Sequence, residues 1–370
     1  MTRNLVLVSG YYGFANLGDE AILEEITNEL KKLVEPEQIV ILSNNPEQTS
    51  KVFGVQAINR WKLSEFIQLL PRTKLFISGG GGLFQDATGF KSAIFYGTQM
   101  IVAKKHGCKV AVYAQGVGPL RGMIATKMAK TAFARADEIL VRDKDSKDLL
   151  SIWKVQSKLT ADPVWCLEQT SIPLEADKQI QALRERPGLT VGLSLRTSHN
   201  FGDTHRERLL DVLEQSLPTD AKLLLLPLQS DQDMEPLSKF AEAWKAKNRT
   251  AEFLKTDEMQ RPSQWIAVLA QLDMLVAMRL HALIMSLKSG VPSIGIAYDP
   301  KVKHVLNQFQ QPILILSQNS EDTEKWLPTV QNAVATRTEL ADKARQEAER
   351  AKTMACQNFE TLARILEHAK

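Results

Sequence analysis

The chain repeats one phrase, a short run that is apolar along its whole length, closed by glycine or a polar residue and followed by a segment with helical periodicity. It predicts strands at 5–9, 38–42, 74–78, 109–113 and 138–141, with helical stretches such as 21–34 and 122–136 between them. A strand without a polar face must be covered on both sides, so the phrase predicts a parallel sheet between two helical layers. After Asp162-Pro163 the phrase stops: residues 167–187 are polar, hold two prolines and read as a linker. It then restarts at 190–195, 221–226, 273–277, 293–297 and 313–316. The prediction is an N-terminal α/β domain over 1–166, a second over 188–337, and a long C-terminal helix over 338–370. On that helix Leu340, Ala344, Ala348, Ala351, Ala355, Phe359, Leu362 and Leu366 keep one face, which is expected to pack on a domain surface.

A chain of 370 residues exceeds what one core usually covers, in keeping with two domains. Its net charge of only +3 argues against a general nucleic-acid binder, which needs a concentrated basic surface. Cys108, Cys166 and Cys356 show no CxxC spacing, and an odd number closes no disulfide framework, so a reducing, cytoplasmic setting is expected. The apolar run after Met-Thr-Arg-Asn is too short for a signal-peptide core, and nothing approaches the roughly 20 apolar residues of a membrane span.

Doubly wound sheets bind ligands beyond the carboxyl ends of their strands, so the loops there carry the chemistry. The first, Gly10 to Glu20, has three glycines and leads into a helix whose free N–H groups suit an anion or a sugar hydroxyl, but its spacing is not that of a dinucleotide fingerprint. Asp19 fits either a reacting group or the cap of a helix beginning near Ala21. In the second loop, Gly79-Gly80-Gly81-Gly82 leaves the backbone bare against a ligand, or else makes a tight turn that needs small residues. Gln115-Gly116-Val117-Gly118-Pro119 ends a strand in the same manner.

Four cations follow strands: Arg142, Arg196, Arg279 and Lys301. Arg142 either grips a phosphate or carboxylate or pairs with Asp143 or Asp145. His199 and His205 lack a third ligand and read as surface histidines rather than a metal site. Extended geometry through Leu280 would project Arg279 and His281 to one side, giving a positive pocket with a group able to move a proton near neutral pH. The alternative has His281 capping the helix and Arg279 paired with a carboxylate.

The ordered set GYYGFANLGDEAIL, FISGGGGLFQD, YAQGVGPL, VRDKDS, ADPVW and MRLHALIMSLKSGVPSIGIAYDPKV resembles the polysaccharide pyruvyltransferase family, in particular its bacterial cell-wall polysaccharide branch, over the chain up to about residue 304. The resemblance implies a GT-B type architecture of two Rossmann-like domains facing a cleft. It also implies transfer of pyruvate from phosphoenolpyruvate, a co-substrate, onto two hydroxyls of a sugar as a cyclic ketal, with no metal or other cofactor. Arg142, Arg196, Arg279, Leu280 and Lys301 then hold the donor, and His281 and Asp19 are the acid and base. Tyr11, Tyr12, Asn16, Gly81 and Gly82 face the acceptor, whose lipid-linked form would bring the protein to the inner face of the membrane. A GT-B glycosyltransferase with a nucleotide-sugar donor, and a sugar-binding scaffold without chemistry, are the competing readings.

Overall fold

The computed structural model describes residues 3–86, 89–316 and 320–368. The chain forms two compact units, one from Met1–Leu167 with Ala351–Lys370 and the other from Glu168–Arg350. In the first unit the strands are β1 (Leu5–Ser9), β2 (Ile39–Ser43), β3 (Gln56–Asn59), β4 (Thr73–Ser78), β5 (Gly81–Phe84), β6 (Lys109–Val117), β7 (Glu138–Val141) and β8 (Lys158–Leu159). They lie in the order β3-β2-β1-β4-β6-β7-β8 with β5 beside β6, and every pairing is parallel. The second unit holds β9 (Thr190–Ser194), β10 (Lys222–Leu225), β11 (Thr250–Phe253), β12 (Met274–Ala277), β13 (Ser293–Ala297) and β14 (Ile313–Ile315). Their order is β11-β10-β9-β12-β13-β14, again parallel throughout.

All residues of β1, β2, β9, β10 and β12 are buried. Because successive side chains point to opposite faces, this requires helices on both sides of each sheet. In each unit the chain winds outward through its first three strands and then returns to pair the fourth with the first. The order thus reverses between β1 and β4 and between β9 and β12, where the loops diverge at the carboxyl edge and leave a place for a ligand.

The predicted strands are all present, with ends shifted by up to four residues; β3, β5, β8 and β11 were not foreseen. Three of these are edge strands whose polar, half-exposed residues (QAIN, KL, TAEF) show no apolar run. The fourth, β5, corrects the reading of the four-glycine segment as a loop, since Gly81 and Phe84 pair with Gln115 and Val117 of β6. The expected linker is also corrected. Within it lies a helix, Leu174–Glu185, that buries Ala176, Ile180 and Leu183 on one face. Gln179 fixes it to the second unit, donating to Phe253 O at 2.8 Å and accepting from Lys255 N at 2.9 Å. With only one side inward, its composition looks like a loop.

The last helix, Arg337–His368, buries Leu340, Ala344, Ala348, Ala351, Ala355, Leu362 and Leu366, with Phe359 partly covered. It is not a separate element: the division between the units falls within it, at Arg350. Its first turns belong to the second unit, where Gln311 Nε2 donates to Leu340 O at 3.0 Å. Its later turns belong to the first, where buried Asn358 donates to Ala161 O at 2.9 Å and the Sγ atoms of Cys166 and Cys356 lie 2.8 Å apart. Among the described residues no helix is long and apolar enough to cross a membrane.

Candidate functional site

Arg196 and Arg279 stand at the strand-order reversal of the second unit. Arg196 lies two residues beyond β9, and Arg279 two beyond β12 as the N-cap of the helix Leu280–Lys288. The helix Ser230–Ala246, which follows β10, supplies Gln232 and Asp233 as partners, and its N-cap Gln229 adds a third. Arg279 Nε and Nη2 donate to Asp233 Oδ1 at 3.1 and 2.5 Å, and its Nη1 donates to Gln229 Oε1 at 3.1 Å. Gln232 Oε1 accepts from Arg279 Nη2 at 3.4 Å and from Arg196 Nη2 at 2.7 Å, so one amide oxygen bridges the two guanidiniums. Arg196 Nη1 also donates to Tyr298 OH at 3.2 Å, with the guanidinium over the Tyr298 ring.

Asp233 is fully buried, and burial raises its pKa against the pull of Arg279. Two cations face this one carboxylate, and the edge stays positive. Two buried polar atoms here, Ser194 Oγ and Arg196 Nε, have no hydrogen-bond partner among the described residues. Lys301 sits beyond the next strand, β13, in the first turn of the helix Pro300–Gln308, where Asp299 Oδ1 accepts from its backbone N–H at 2.8 Å.

Extended geometry does not continue through Leu280, because the helix starts there. His281 is its second residue and half-buried. The carboxylate alternative for Arg279 is the observed one, leaving Arg196 as the freer of the two arginines. Gln229, Gln232, Asp233 and Tyr298 were missed, although the run PLQSDQD directly after an apolar strand signalled a polar strand-end loop of the same kind.

The fourth cation belongs to the first unit. Arg142, at the end of β7, is ion-paired with Asp162, both nearly inaccessible, rather than with Asp143 or Asp145. Asp143 caps the following helix, accepting from Ser146 N at 2.8 Å. Burial alone would lower the pKa of Arg142, but Asp162, Asp143 and Asp19 outweigh it and raise it.

Around the β1/β4 reversal the helix begins at Leu17, capped by Asn16, whose Oδ1 accepts from Gly18 N at 3.1 Å. Asp19 is therefore in its first turn and not its cap. Tyr12, expected at the acceptor, is wholly enclosed: a Cβ on Gly10 would lie 2.2 Å from its Cζ, and one on Gly79 2.0 Å from its hydroxyl. These two glycines make room for an aromatic ring. At Gly81, φ is +97° and a Cβ would lie 2.8 Å from Asp19 Oδ1, while Gln115 Nε2 donates to Gly81 O at 2.7 Å. Tyr11 and Gly82 remain at least partly exposed. Glu20 Oε1 accepts from Gly13 N at 2.7 Å, and its pKa is pushed up to about 7, chiefly by burial, with Asp19 adding to the rise.

Residues 16–300 match the family model for polysaccharide pyruvyl transferase. The chain belongs to this family. Among curated proteins, none matches the sequence significantly. Similar solved structures include Anabaena HepE in complex with UDP (13% identity, all of both chains, TM-score 0.62). A putative UDP-N-acetylglucosamine 2-epimerase from Listeria monocytogenes (11%, 92% of this chain and 91% of that one, TM-score 0.64) and sucrose-phosphate synthase from Thermosynechococcus elongatus (15%, all of both chains, TM-score 0.58) are likewise similar. At these identities the likeness establishes the fold, two Rossmann-like domains of the GT-B type. The family matches the first unit from Asn16 and the second through Pro300, so the β9/β12 reversal of this pyruvyl transferase family member lies inside the matched region, whereas β1 of the other reversal ends before it.

Two outcomes are expected. Gly79→Ala should destabilise the first unit by about 1–3 kcal/mol, the usual cost of overpacking. Adding Tyr12→Phe should recover part of that loss, since the clash is with the hydroxyl, but should not rescue Gly10→Ala, where a ring carbon is struck. Urea denaturation of the single and double variants checks this, and wild-type midpoints for both glycine variants would refute it. For Glu20, the folded chain holds a proton that the unfolded chain releases between its ordinary 4.5 and about 7. Its contribution to stability is therefore present at low pH and lost as pH rises through 7. Glu20→Gln should melt with wild type at pH 4 and a few degrees above it at pH 8; a gap independent of pH would show that Glu20 does not carry the shift.

Proposed function

We propose that this protein transfers the three-carbon unit of phosphoenolpyruvate to a sugar as a cyclic ketal and releases phosphate. The observation that supports the reading is the row of Arg196, Arg279 and Lys301 beyond three consecutive strands, β9, β12 and β13. A donor bearing both a carboxylate and a phosphate needs several fixed cations, and two helix N-termini add their free N–H groups.

Asp233, Gln229 and Gln232 hold Arg279 in place, so its main contribution is a fixed positive charge. Arg196 and Lys301 make the direct contacts. His281, at the start of its helix, gives a proton to the methylene carbon of the donor and leaves an oxocarbenium centre at C2. One sugar hydroxyl adds to C2, the bond from C2 to the phosphate oxygen breaks, and the second hydroxyl closes the ring. Of the two hydroxyl protons, one replaces the proton spent on the methyl group and the other leaves with phosphate. Asp19, in the first turn of the helix after β1 in the unit where we place the acceptor, is the base.

Solved structures of similar fold hold UDP or UDP-glucose, and a nucleotide-sugar donor would use the same strand ends. Acceptor-dependent phosphate release from phosphoenolpyruvate, measured across free and lipid-linked hexoses and N-acetylhexosamines, separates the readings. His281→Gln should keep donor binding and lose turnover by roughly 100-fold or more. Arg196→Ala should weaken donor binding about tenfold without a matching loss of stability. Binding of a nucleotide-sugar in place of phosphoenolpyruvate would replace this proposal with a glycosyltransferase, and binding of sugar alone would leave a scaffold without chemistry.

A further inference from the structure

Directly after β3 come Arg60 and Trp61, which neither the motifs nor the donor chemistry involve. Arg60 is 6% exposed and makes no ion pair among the described residues. Its Nη1 donates to Gly10 O at 2.7 Å and its Nη2 to Tyr96 OH at 2.9 Å. Its charge is met by aromatic faces: the guanidinium carbon lies 5.1 Å from the ring centroids of Phe14 and Trp61, 4.7 Å from that of Phe95 and 5.3 Å from that of Tyr96. The guanidinium thus clamps rings from two loops and one helix into a fixed arrangement.

Trp61 is nevertheless 60% exposed. An indole left that open would ordinarily be free to turn, but this one is held through its Nε1 and by the guanidinium on its face. Its backbone N–H donates to Asn59 Oδ1 and its Nε1 to Asn44 Oδ1, both at 2.9 Å, and Asn44 N in turn donates to Tyr12 O at 3.0 Å. Phe14, which shares the Arg60 guanidinium with Trp61, is stacked at 4.1 Å and 7° on Tyr11, itself 40% exposed. The residues involved follow β1, β2 and β3, three adjacent strands, so the rings share the carboxyl edge next to the β1/β4 reversal.

We infer that this platform is a sugar-stacking subsite, in which the apolar C–H face of a hexopyranose lies on Trp61 while neighbouring amide and peptide groups meet its hydroxyls. A rigid, exposed, hydrogen-bonded aromatic suits a flat ligand with an apolar face and a polar rim, because the ordering cost has been met before binding. Leu63 and Ile67 nearby are also exposed, as a lipid surface would require. A lipid contact, however, needs no ring locked in orientation by a hydrogen bond and a guanidinium. The inference rests on the acceptor being a sugar and not on the choice of donor.

The test is saturation-transfer NMR on the full chain without phosphoenolpyruvate, using the methyl glycosides of glucose, galactose and N-acetylglucosamine. Wild type should bind at least one of them, with saturation strongest on the protons of one ring face. Trp61→Ala should weaken that binding about tenfold or more, the scale of one lost aromatic stack, and Trp61→Phe should keep most of it. Circular dichroism should show all three proteins folded. Equal transfer in Trp61→Ala overturns the inference, as does the absence of transfer from every sugar to wild type. Co-sedimentation with phosphatidylglycerol vesicles that depends on Trp61, with no sugar bound, assigns the platform to a lipid surface instead. None of these outcomes uses the donor, so failure here and failure of ketal formation are read separately.

Discussion

Burial of β1, β2, β9, β10 and β12 on both faces is the constraint from which the remaining features follow. A sheet covered on both sides has no polar face, so hydrogen-bonding groups and charge enter at the strand ends. At the carboxyl edge the helices begin with unpaired N–H groups, and polar side chains are drawn to the same place. Strand-order reversal then spreads two neighbouring loops apart, giving one spot per unit with room for a ligand.

Charge placed there has to be held. Arg142 with Asp162 and Arg279 with Asp233 solve this alike: an arginine just past a strand meets an aspartate from a later or neighbouring element, and both partners are almost out of solvent. Removing one member of such a pair strands a buried charge and costs about 3–5 kcal/mol. These pairs therefore fix the geometry of the edge more than they bind anything. Arg196 differs, since it bonds Gln232 Oε1 and the Tyr298 hydroxyl and makes no ion pair among the described residues. Of these three arginines it is the one whose charge is most open to an outside partner.

Much of this was legible in the sequence because the signal was periodic. Interior strands announced themselves by unbroken apolar runs, and their ends pointed to Arg142, Arg196, Arg279 and Lys301. Edge strands such as Gln56–Asn59 carry no such run, because half of their surface faces solvent. The helix Leu174–Glu185 shows only three buried positions among polar ones and passed for a linker. Partners distant along the chain were invisible in principle: Asp233 lies 46 residues from Arg279, and Cys356 lies 190 from Cys166. Spacing within a motif also misleads at Arg279-Leu280-His281, because the helix begins at Leu280 and ends the alternation of an extended strand. At Gly10 and Gly79 the glycines were rightly singled out, but what comes close is Tyr12 of the same chain.

Arg60 shows a second way of burying a guanidinium, and the contrast with Arg279 bears on what each unit recognises. A carboxylate offsets part of the charge that it holds, whereas ring faces only polarise around it, so the positive field of Arg60 persists at the edge of the first sheet. The exposed ring of Trp61 also remains usable from outside. The first unit thereby presents flat apolar surface over a retained charge, and the second presents guanidinium and ammonium groups with little aromatic cover beyond Tyr298. A sugar, apolar on its ring face and hydroxylated at its rim, matches the first arrangement; a small, doubly anionic molecule matches the second. On the proposed reading, two units whose strands share the same order around the reversal differ in ligand chemistry through what surrounds a few strand-end arginines.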